Sequence, residues 1–416
     1  MLLPVEEAQA QVLAHCRAGP VESIDVAQID GRIAAATLHA RWDLPQRDVS
    51  MMDGYAVRSL DIAQARACGN AIVLQVRGES AAGHPSTLPL GPGEAARIST
   101  GAVLPQGADA VIAQEDTRRE DDRLVIDDAS LGELSAGTFV RPKGRELREG
   151  EPLVEPGHRL GPGEIALLAG SGHATIPVYG QPRVAILGTG DELVPVGQRP
   201  EPGQVVSSNG LVLAAMVRRA GGLPQVLPEV GDDPSRTAAA LTEGLRADVL
   251  VTTGGISVGD HDLVHGQLQA LGVRTVFRGI ALRPGKPTTF GIHHDDGCRV
   301  FALPGNPASS LVTFALLVHP ALRVMAGVRG DPGLPRRTVT LLTEARGAGR
   351  RAHYVRAASR GPQHAEPIVV QQSGNLRSIA GADLLIPVPA GTDRLPAGTE
   401  VEAVVLEPMF AERPAS

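Results

Sequence analysis

Ala247–Asp262 reads ADVLVTTGGISVGDHD. Val249, Leu250, Val251, Thr252 and Thr253 form a short, β-branched apolar run closed by Gly254 and Gly255, the pattern of a strand buried on both faces. Gly254, Gly255, Ser257 and Gly259 lead on to Asp260 and Asp262. Helical spacing through Leu263, Val264, Leu268 and Leu271 follows. A strand that empties into a glycine- and carboxylate-rich loop and then a helix is where open α/β sheets place ligands. Glycines let backbone N–H groups approach an anion closely, and carboxylates can hold a metal against it. The same residues also make a tight strand-to-helix turn with solvated acids. Residue types alone leave both readings open.

Strand–helix alternation continues on either side. Val184–Leu187 is a predicted strand that ends in Gly188-Thr189-Gly190-Asp191-Glu192. Ser208 and Asn209 can cap a helix over Gly210–Ala220, which stops at Gly221-Gly222. Gln225–Pro228 reads as a strand, and Asp233-Pro234 as N-cap and first residue of a helix reaching Arg246. Thr275–Arg278 and Arg299–Ala302 are further predicted strands. The second runs into Leu303-Pro304-Gly305-Asn306-Pro307 and a long apolar helix, Ala308–Ala326. Alternation at this spacing predicts a doubly wound parallel α/β sheet domain over residues 181–329.

The flanking segments look different. Pro4–Ala18 has a helical rhythm stopped by Gly19-Pro20, and a second helix is expected over Val26–His39. Ser50-Met51-Met52-Asp53-Gly54-Tyr55 reads locally as a surface turn, because Asp-Gly is a turn dipeptide. Short strands at Ile72–Val76, Ala95–Ile98 and Ala110–Ala113 predict a small mixed α/β domain over 46–139, with Ser99-Thr100-Gly101 as one of its turns. Residues 1–45 and 140–180 form an extended connecting domain, Gly/Pro-dense after Phe139 and holding one short helix at Gly163–Ala169. Residues 330–416 carry strands at Arg337–Leu342, Ile368–Gln371, Leu384–Val388 and Glu400–Val405, a C-terminal β-barrel-like domain. The fold class is α/β multidomain.

Composition narrows the function. At 416 residues the chain exceeds one core. Its 43% hydrophobic and 20% charged residues are ordinary for a globular protein. A net charge of −7, no basic tail and 2% aromatics argue against nucleic acid. Cys16, Cys68 and Cys298 are scattered and odd in number, which fits a reducing cytoplasm better than a disulfide framework or zinc site. No apolar run is expected to span a membrane, and no signal-peptide core is visible near the N-terminus.

Three motif fragments fail on detail. After Gly188-Thr189-Gly190, Leu193 occupies the third glycine position of a dinucleotide fingerprint. Gly279…Gly285-Lys286 is one residue too long for a Walker loop, and Pro287 replaces its Ser/Thr, although a lysine beside glycine backbone still suits an oxyanion. Gly255-Ile256-Ser257-Val258-Gly259 matches GxSxG, yet Gly254 and Gly255 separate the serine from the strand end, and Asp295, Asp296 and His319 lack a strand-end setting.

Six stretches occur in order: Ser50-Met-Met-Asp-Gly-Tyr-Ala56, Arg97-Ile-Ser-Thr-Gly-Ala102, Gly188-Thr-Gly-Asp-Glu-Leu193, Thr253-Gly-Gly-Ile-Ser-Val-Gly259, Pro284-Gly-Lys-Pro287 and Leu303-Pro-Gly-Asn-Pro307. Together they closely resemble the molybdopterin molybdenumtransferase family, which includes the gephyrin E domain. The similarity runs from the first helix to about Val405. It implies an elongated homodimer of four-domain subunits that inserts molybdenum from molybdate into adenylylated molybdopterin, releasing AMP. By the same resemblance Glu192, Asp232 and Asp262 lie in the sheet-domain pocket, with Asp232 and Asp262 holding Mg²⁺ on the pyrophosphate. Ser257 and the glycines beside it, Gly254, Gly255 and Gly259, are implied to cradle phosphate, and Pro304, Gly305 and Asn306 to bind substrate with them. Asp53, Thr100 and Glu146 match positions that reach the pocket from the partner subunit. Arg283, Lys286, Arg351 and Ser373 match molybdate-binding positions. The preceding adenylyltransferase and molybdoenzyme apoproteins are implied partners.

The chain departs from the family pattern in places. Many relatives carry lysine at the position of Arg283. Val49 replaces an asparagine, Arg145-Glu146 an acidic pair, and His353 an acid that follows the C-terminal arginine. Two other classes remain to be separated. The adenylyltransferase of the preceding step shares the sheet domain, but its loop reads GGTG where this chain has Gly254-Gly-Ile-Ser, and it lacks flanking domains. A non-catalytic, gephyrin-like scaffold would not need Asp53, Asp262 and Lys286 together.

Overall fold

The computed structural model describes residues 2–126, 131–255, 263–294, 297–406 and 409. At its centre a six-stranded sheet runs in the order Leu223–Val226, Arg183–Gly188, Val249–Thr253, Arg299–Leu303, Thr289–His293, Val273–Arg278. The first four strands are parallel. Every residue of Val249–Thr253 is buried, as its unbroken apolar run requires. Helices cover both faces. Asn209–Arg219 and the helical stretch from Pro307 pack into one core, and Pro234–Gly244 and Leu263–Ala270 into the other. The Asp233 side chain accepts the Arg236 N–H at 2.7 Å, so the expected cap is made.

The chain leaves Arg183–Gly188 for the strand on one side, then crosses to Val249–Thr253 on the other. That reversal opens a crevice at the carboxyl ends of these two strands, the ligand position of open α/β sheets. One sheet strand was not legible as such. Thr289–His293 runs antiparallel to both neighbours, because it returns directly from the edge strand Val273–Arg278 without a crossover helix.

The long apolar helix is three pieces: Pro307–Thr313, a π-turn at Phe314–Val318, and His319–Met325. Pro320 has no N–H to give the Leu316 carbonyl, and the Gln9 side-chain amide donates to that carbonyl at 2.8 Å instead. Contrary to the expectation above, Pro307–Met325 is long and apolar enough to cross a membrane; 89% of it is buried, so it is the core helix of this domain. Gln9 belongs to the helix Val5–Ala14, which joins the same core through Val5, Ala8 and Val12 rather than the connecting domain.

The connecting domain has no helix over Val26–His39. Val21–Asp25 is a strand paired with Thr175–Tyr179, followed by a short 3-10 turn that the Asp25 carboxylate closes on the Ala27 N–H. Cross-strand pairing and this local turn override a helical spacing that Gly31 already weakens. The core here is Ile29, Leu38, Val154, Leu160, Leu168, Ile176 and Val178. The small domain is a six-stranded sheet in the order Ala110–Ala113, Gly54–Val57, Glu94–Ile98, Ile72–Ser80, Arg123–Ile126, Thr117–Glu120. Gly54–Val57 is buried throughout, so the motif read as a surface turn enters a central strand.

In the C-terminal domain Arg336–Leu341, Ala352–Ser359, His364–Pro367, Leu384–Val388 and Glu400–Val405 close into a barrel. The expected strand at Ile368–Gln371 is absent; the strand ends at Pro367, which cannot donate to a ladder. A two-residue strand from the α/β domain, Leu282–Arg283, adds in parallel to the barrel strand Ala352–Ser359.

Glycine at the crevice is a steric requirement. Gly254 has φ +87°, and a Cβ there would lie 2.1 Å from the Thr189 carbonyl oxygen. Gly254→Ala is expected to destabilise the α/β domain by about 1–3 kcal/mol through strain and overpacking. Calorimetric melting checks this, and an unchanged transition would contradict the close approach.

Candidate active site

Three loops converge at the crevice. Thr189 forms an isolated parallel bridge with Val230, and its N–H donates to the Thr253 carbonyl at 2.9 Å. A Cβ on Gly255 would lie 2.7 Å from Thr189 Oγ1, and one on Gly305 would lie 3.2 Å from Gly254 Cα. Gly188–Glu192, Gly254-Gly255 and Leu303–Asn306 therefore touch through main chain, leaving backbone groups to line the crevice. Asn209 Nδ2 donates to the Gly305 carbonyl at 2.7 Å, a tie that cap-type reasoning on Asn209 did not foresee. Pro304 is buried, and Ser310 Oγ donates to its carbonyl.

Carboxylates gather on the same rim. Glu192 and Asp232 are both exposed. The Glu192 carboxylate lies over Gly190, where a Cβ would meet its Oε2 at 2.3 Å. Asp191, absent from the candidate residues above, accepts the Asp232 N–H at 2.9 Å and fixes that turn beside the crevice. Among the described residues no group of three ligating side chains is preformed for a metal. Ser257, Gly259 and Asp262 lie outside the described residues.

A second group sits where the α/β domain meets the barrel. Register places Arg283 opposite His353, and the Ala352 N–H donates to the Ala281 carbonyl at 2.9 Å. The neighbouring Arg351 is thereby carried to the Arg283–Pro287 loop. The Lys286 carbonyl accepts the Ile280 N–H at 2.9 Å. Gly285, at φ +128°, backs onto Thr313, where a Cβ would lie 2.5 Å from Cγ2. Ser373 arrives on the first turn of that same helix, its carbonyl accepting the Ala308 N–H at 2.9 Å. Gly374 brings the segment next to Asn306, whose Oδ1 is 3.8 Å from the glycine's ideal Cβ position. Main-chain contacts thus bring the segments that carry Arg283, Lys286 and Arg351 to one seam, and the segment of Ser373 and Gly374 to the adjoining helix beside Asn306. His353 is buried, its Nδ1 2.6 Å from the Arg346 carbonyl and its Nε2 without a partner among the described residues. Burial pushes its pKa down to about 4 against that hydrogen bond, aided by the charges of Arg283, Arg356 and Arg351. It is therefore a neutral imidazole among cations.

A third group lies on the small domain. Asp53 Oδ1 accepts the Thr100 N–H at 2.7 Å and the Thr100 hydroxyl at 3.1 Å. Glu146 pairs with Arg141 at 2.7 Å, and the strand Val140–Arg141 is bound to Val49–Ser50 just before Asp53. Asp53, Thr100 and Glu146 are exposed. Asp53 and Thr100 belong to the small domain, whose cores are separate from those beneath the crevice, and Glu146 to the adjoining start of the connecting domain.

Glycine loops at a sheet switch point, a cationic junction and rim carboxylates are the features of an α/β protein suited to phosphorylated or oxyanionic ligands. Comparison with known proteins narrows this. Residues 3–172 match the family profile described as "MoeA N-terminal region (domain I and II)", residues 185–324 "Probable molybdopterin binding domain", and residues 338–406 "MoeA C-terminal region (domain IV)". The chain is 40% identical over 309 residues to the molybdopterin molybdenumtransferase of a Nostoc species, covering 74% of this chain and 70% of that one. It is 32% identical over 408 residues to the Bacillus subtilis protein of the same name, covering 97% and 94%. The crystal structure of the molybdopterin biosynthesis MoeA protein from Pyrococcus horikosii superposes with a TM-score of 0.85 at 33% identity, covering 98% of this chain and 100% of that one. The chain belongs to the molybdopterin molybdenumtransferase family.

The Asp53 geometry has a measurable signature. The Thr100 N–H, then its hydroxyl, hold the carboxyl below the usual aspartate range, with Arg97 helping. The interaction is therefore complete at neutral pH and is lost as pH falls through the lowered pKa. By ¹³C NMR, Asp53 should titrate below an ordinary aspartate, and Thr100→Val should raise its midpoint only in part, because the backbone donor remains. An ordinary midpoint in the wild type would contradict the geometry.

Proposed function

We propose that this chain inserts molybdenum from molybdate into adenylylated molybdopterin and releases AMP, as its relatives' names and the site chemistry together suggest. The observation that carries the proposal is the junction of the Leu282–Arg283 strand with the barrel. It gathers two guanidiniums, an ammonium and a serine beside the glycine loops. Arginine's planar donors and lysine's point charge suit a tetrahedral oxyanion, and among the described residues none of these cations is paired with a carboxylate. The glycine loops suit the substrate's phosphates, which approach backbone more closely than any side chain would allow.

Mg²⁺ fits the rim. Its donors would be oxygens only, and Mg²⁺ is commonly held by one or two carboxylates together with substrate phosphates. Asp232 and Asp262 are the proposed protein ligands, with Glu192 and Asp191 shaping the rim. When bound, the ion would neutralise charge on the pyrophosphate. The protein's own task is then to orient the pyrophosphate on Gly254, Gly255, Gly305 and Asn306 and to hold molybdate on Arg283, Lys286, Arg351 and Ser373.

Asp53, Thr100 and Glu146 supply the remaining polar groups from a second subunit. Their exposed position outside the α/β domain supports a site shared across a homodimer. Exposed apolar side chains at Val21, Leu211, Val212, Leu223 and Val226 offer surface for such an assembly. The free cysteines Cys16, Cys68 and Cys298 support a reducing, cytoplasmic setting. The preceding adenylyltransferase would supply the substrate, and molybdoenzyme apoproteins would take the product. Similarity along 97% of the chain, barrel included, favours the molybdenum-inserting step over adenylylation.

Subunit mixing tests the shared site. Asp53→Ala and Asp262→Ala proteins should each be inactive, and an exchanged mixture should recover up to about a quarter of wild-type activity, set by the statistics of mixed dimers with one intact site. No recovery in a mixture proved to have exchanged would refute it.

A further inference from the structure

Side chains alternate along the barrel strand Ala352–Ser359. Val355 and Ala357 enter the barrel core, whereas Tyr354 packs into the core of the α/β domain, and Arg356 lies on the Tyr354 side. Arg356 is 0% exposed. Its Nη2 donates to the Gln372 carbonyl at 3.1 Å, while Nε and Nη1 have no partner among the described residues. Among those residues no carboxylate pairs with any of its three nitrogens. Burial draws its pKa down to about 10, so it stays charged at neutral pH.

The main chain of Arg356 is bound to the same segment. Gln371 Oε1 accepts its N–H at 3.0 Å, Gln371 Nε2 donates to its carbonyl at 2.8 Å, and the Ile368 N–H donates there at 2.9 Å. The residue after Gln372 is Ser373. Arg356 therefore grips, with backbone and side chain, the segment that delivers Ser373 to the helix at Ala308.

An uncompensated buried cation is a costly way to make one hydrogen bond to a carbonyl, since a neutral donor would serve. Around His353 the charges of Arg283, Arg351 and Arg356 come together, and that neutral imidazole cannot offset them. Three guanidiniums with no acid paired to them among the described residues raise the positive potential where the interior screens it least.

We infer that Arg356 is a positioning residue for oxyanion capture. It fixes the Gln372–Ser373 peptide from behind and lends the junction of Arg283, Arg351 and Ser373 a buried positive charge that only a bound anion balances. The inference rests on the reading of that junction as the molybdate site.

Arg356→Met, Arg356→Lys and Lys286→Ala separate the two. In each full-length protein the readouts are thermal unfolding with and without molybdate, the molybdate concentration for half-maximal AMP release, and the affinity for adenylylated molybdopterin. Arg356→Met removes an unbalanced charge, so it should unfold near the wild-type temperature without molybdate. It should lose the molybdate-induced rise in that temperature and need at least about tenfold more molybdate, roughly the effect of losing one charged hydrogen-bonding partner. Substrate affinity should change by less than about threefold, and Arg356→Lys should restore most of the molybdate response, because it keeps the charge. If Lys286→Ala weakens the molybdate response and Arg356→Met does not, this inference alone falls. If neither weakens it, the oxyanion reading falls and takes the inference with it. An Arg356→Met chain that cannot fold would show a structural residue and would also overturn it.

Discussion

The parallel pairing of Leu282 and Arg283 with Ala352 and His353 ties the α/β domain to the barrel at the cationic junction. Barrel residues Tyr354, Leu385 and Val404 pack into the α/β core as well, so apolar burial holds the same seam. The pairing brings the segment of Arg283 and Lys286, from one domain, next to that of Arg351, from the other. Gly285 seated on Thr313 and Ser373 bound to Ala308 lock both partners onto one helix. That helix is anchored in the same core as the sheet, so the junction inherits the rigidity of the largest packed unit in the molecule.

Electrostatics explains why so few charges suffice. The chain carries a net charge of −7, which repels anions from most of its surface. Against that background the cations proposed to hold molybdate would form a local sink for a small oxyanion. The rim carboxylates Asp191, Glu192 and Asp232 lie on other loops of the crevice, where a divalent ion and a pyrophosphate would share them. In the proposed site, separation of the two charge types by the glycine loops would let one crevice take an oxyanion and a metal-bound phosphate without mutual cancellation.

Much of this is legible in the residues alone. Val249–Thr253, the caps at Asp233 and Pro234, and the glycines at 188, 254 and 305 announce themselves, because buried parallel strands and close main-chain contacts tolerate few residue types. The order of the motifs then points to the family. Other elements are hidden for definite reasons. Val26–His39 has helical spacing, but the strand leading into it, Val21–Asp25, pairs with one about 150 residues away, which local pattern cannot reveal. Thr289–His293 is an antiparallel return within a domain whose rhythm is parallel. Ala352–Ser359 contains His353 and Arg356 at buried positions, so its polarity argues against a central strand. Arg356 itself reads as one more surface cation, and only burial from both domains reveals it. Ser50–Tyr55 resembles a turn because Asp53-Gly54 is one locally, while Gly54 is in fact required where the strand passes the Ile112 carbonyl.

The central claim is that the crevice couples loss of AMP to capture of molybdate. AMP release from adenylylated molybdopterin by the wild-type protein, measured with Mg²⁺ present and molybdate varied from zero to saturation, tests it directly. The account predicts slow release without molybdate and a saturable acceleration as molybdate is added, with the molybdenum recovered on the pterin product. AMP release that is equally fast without molybdate, or no release at any molybdate concentration, would contradict it.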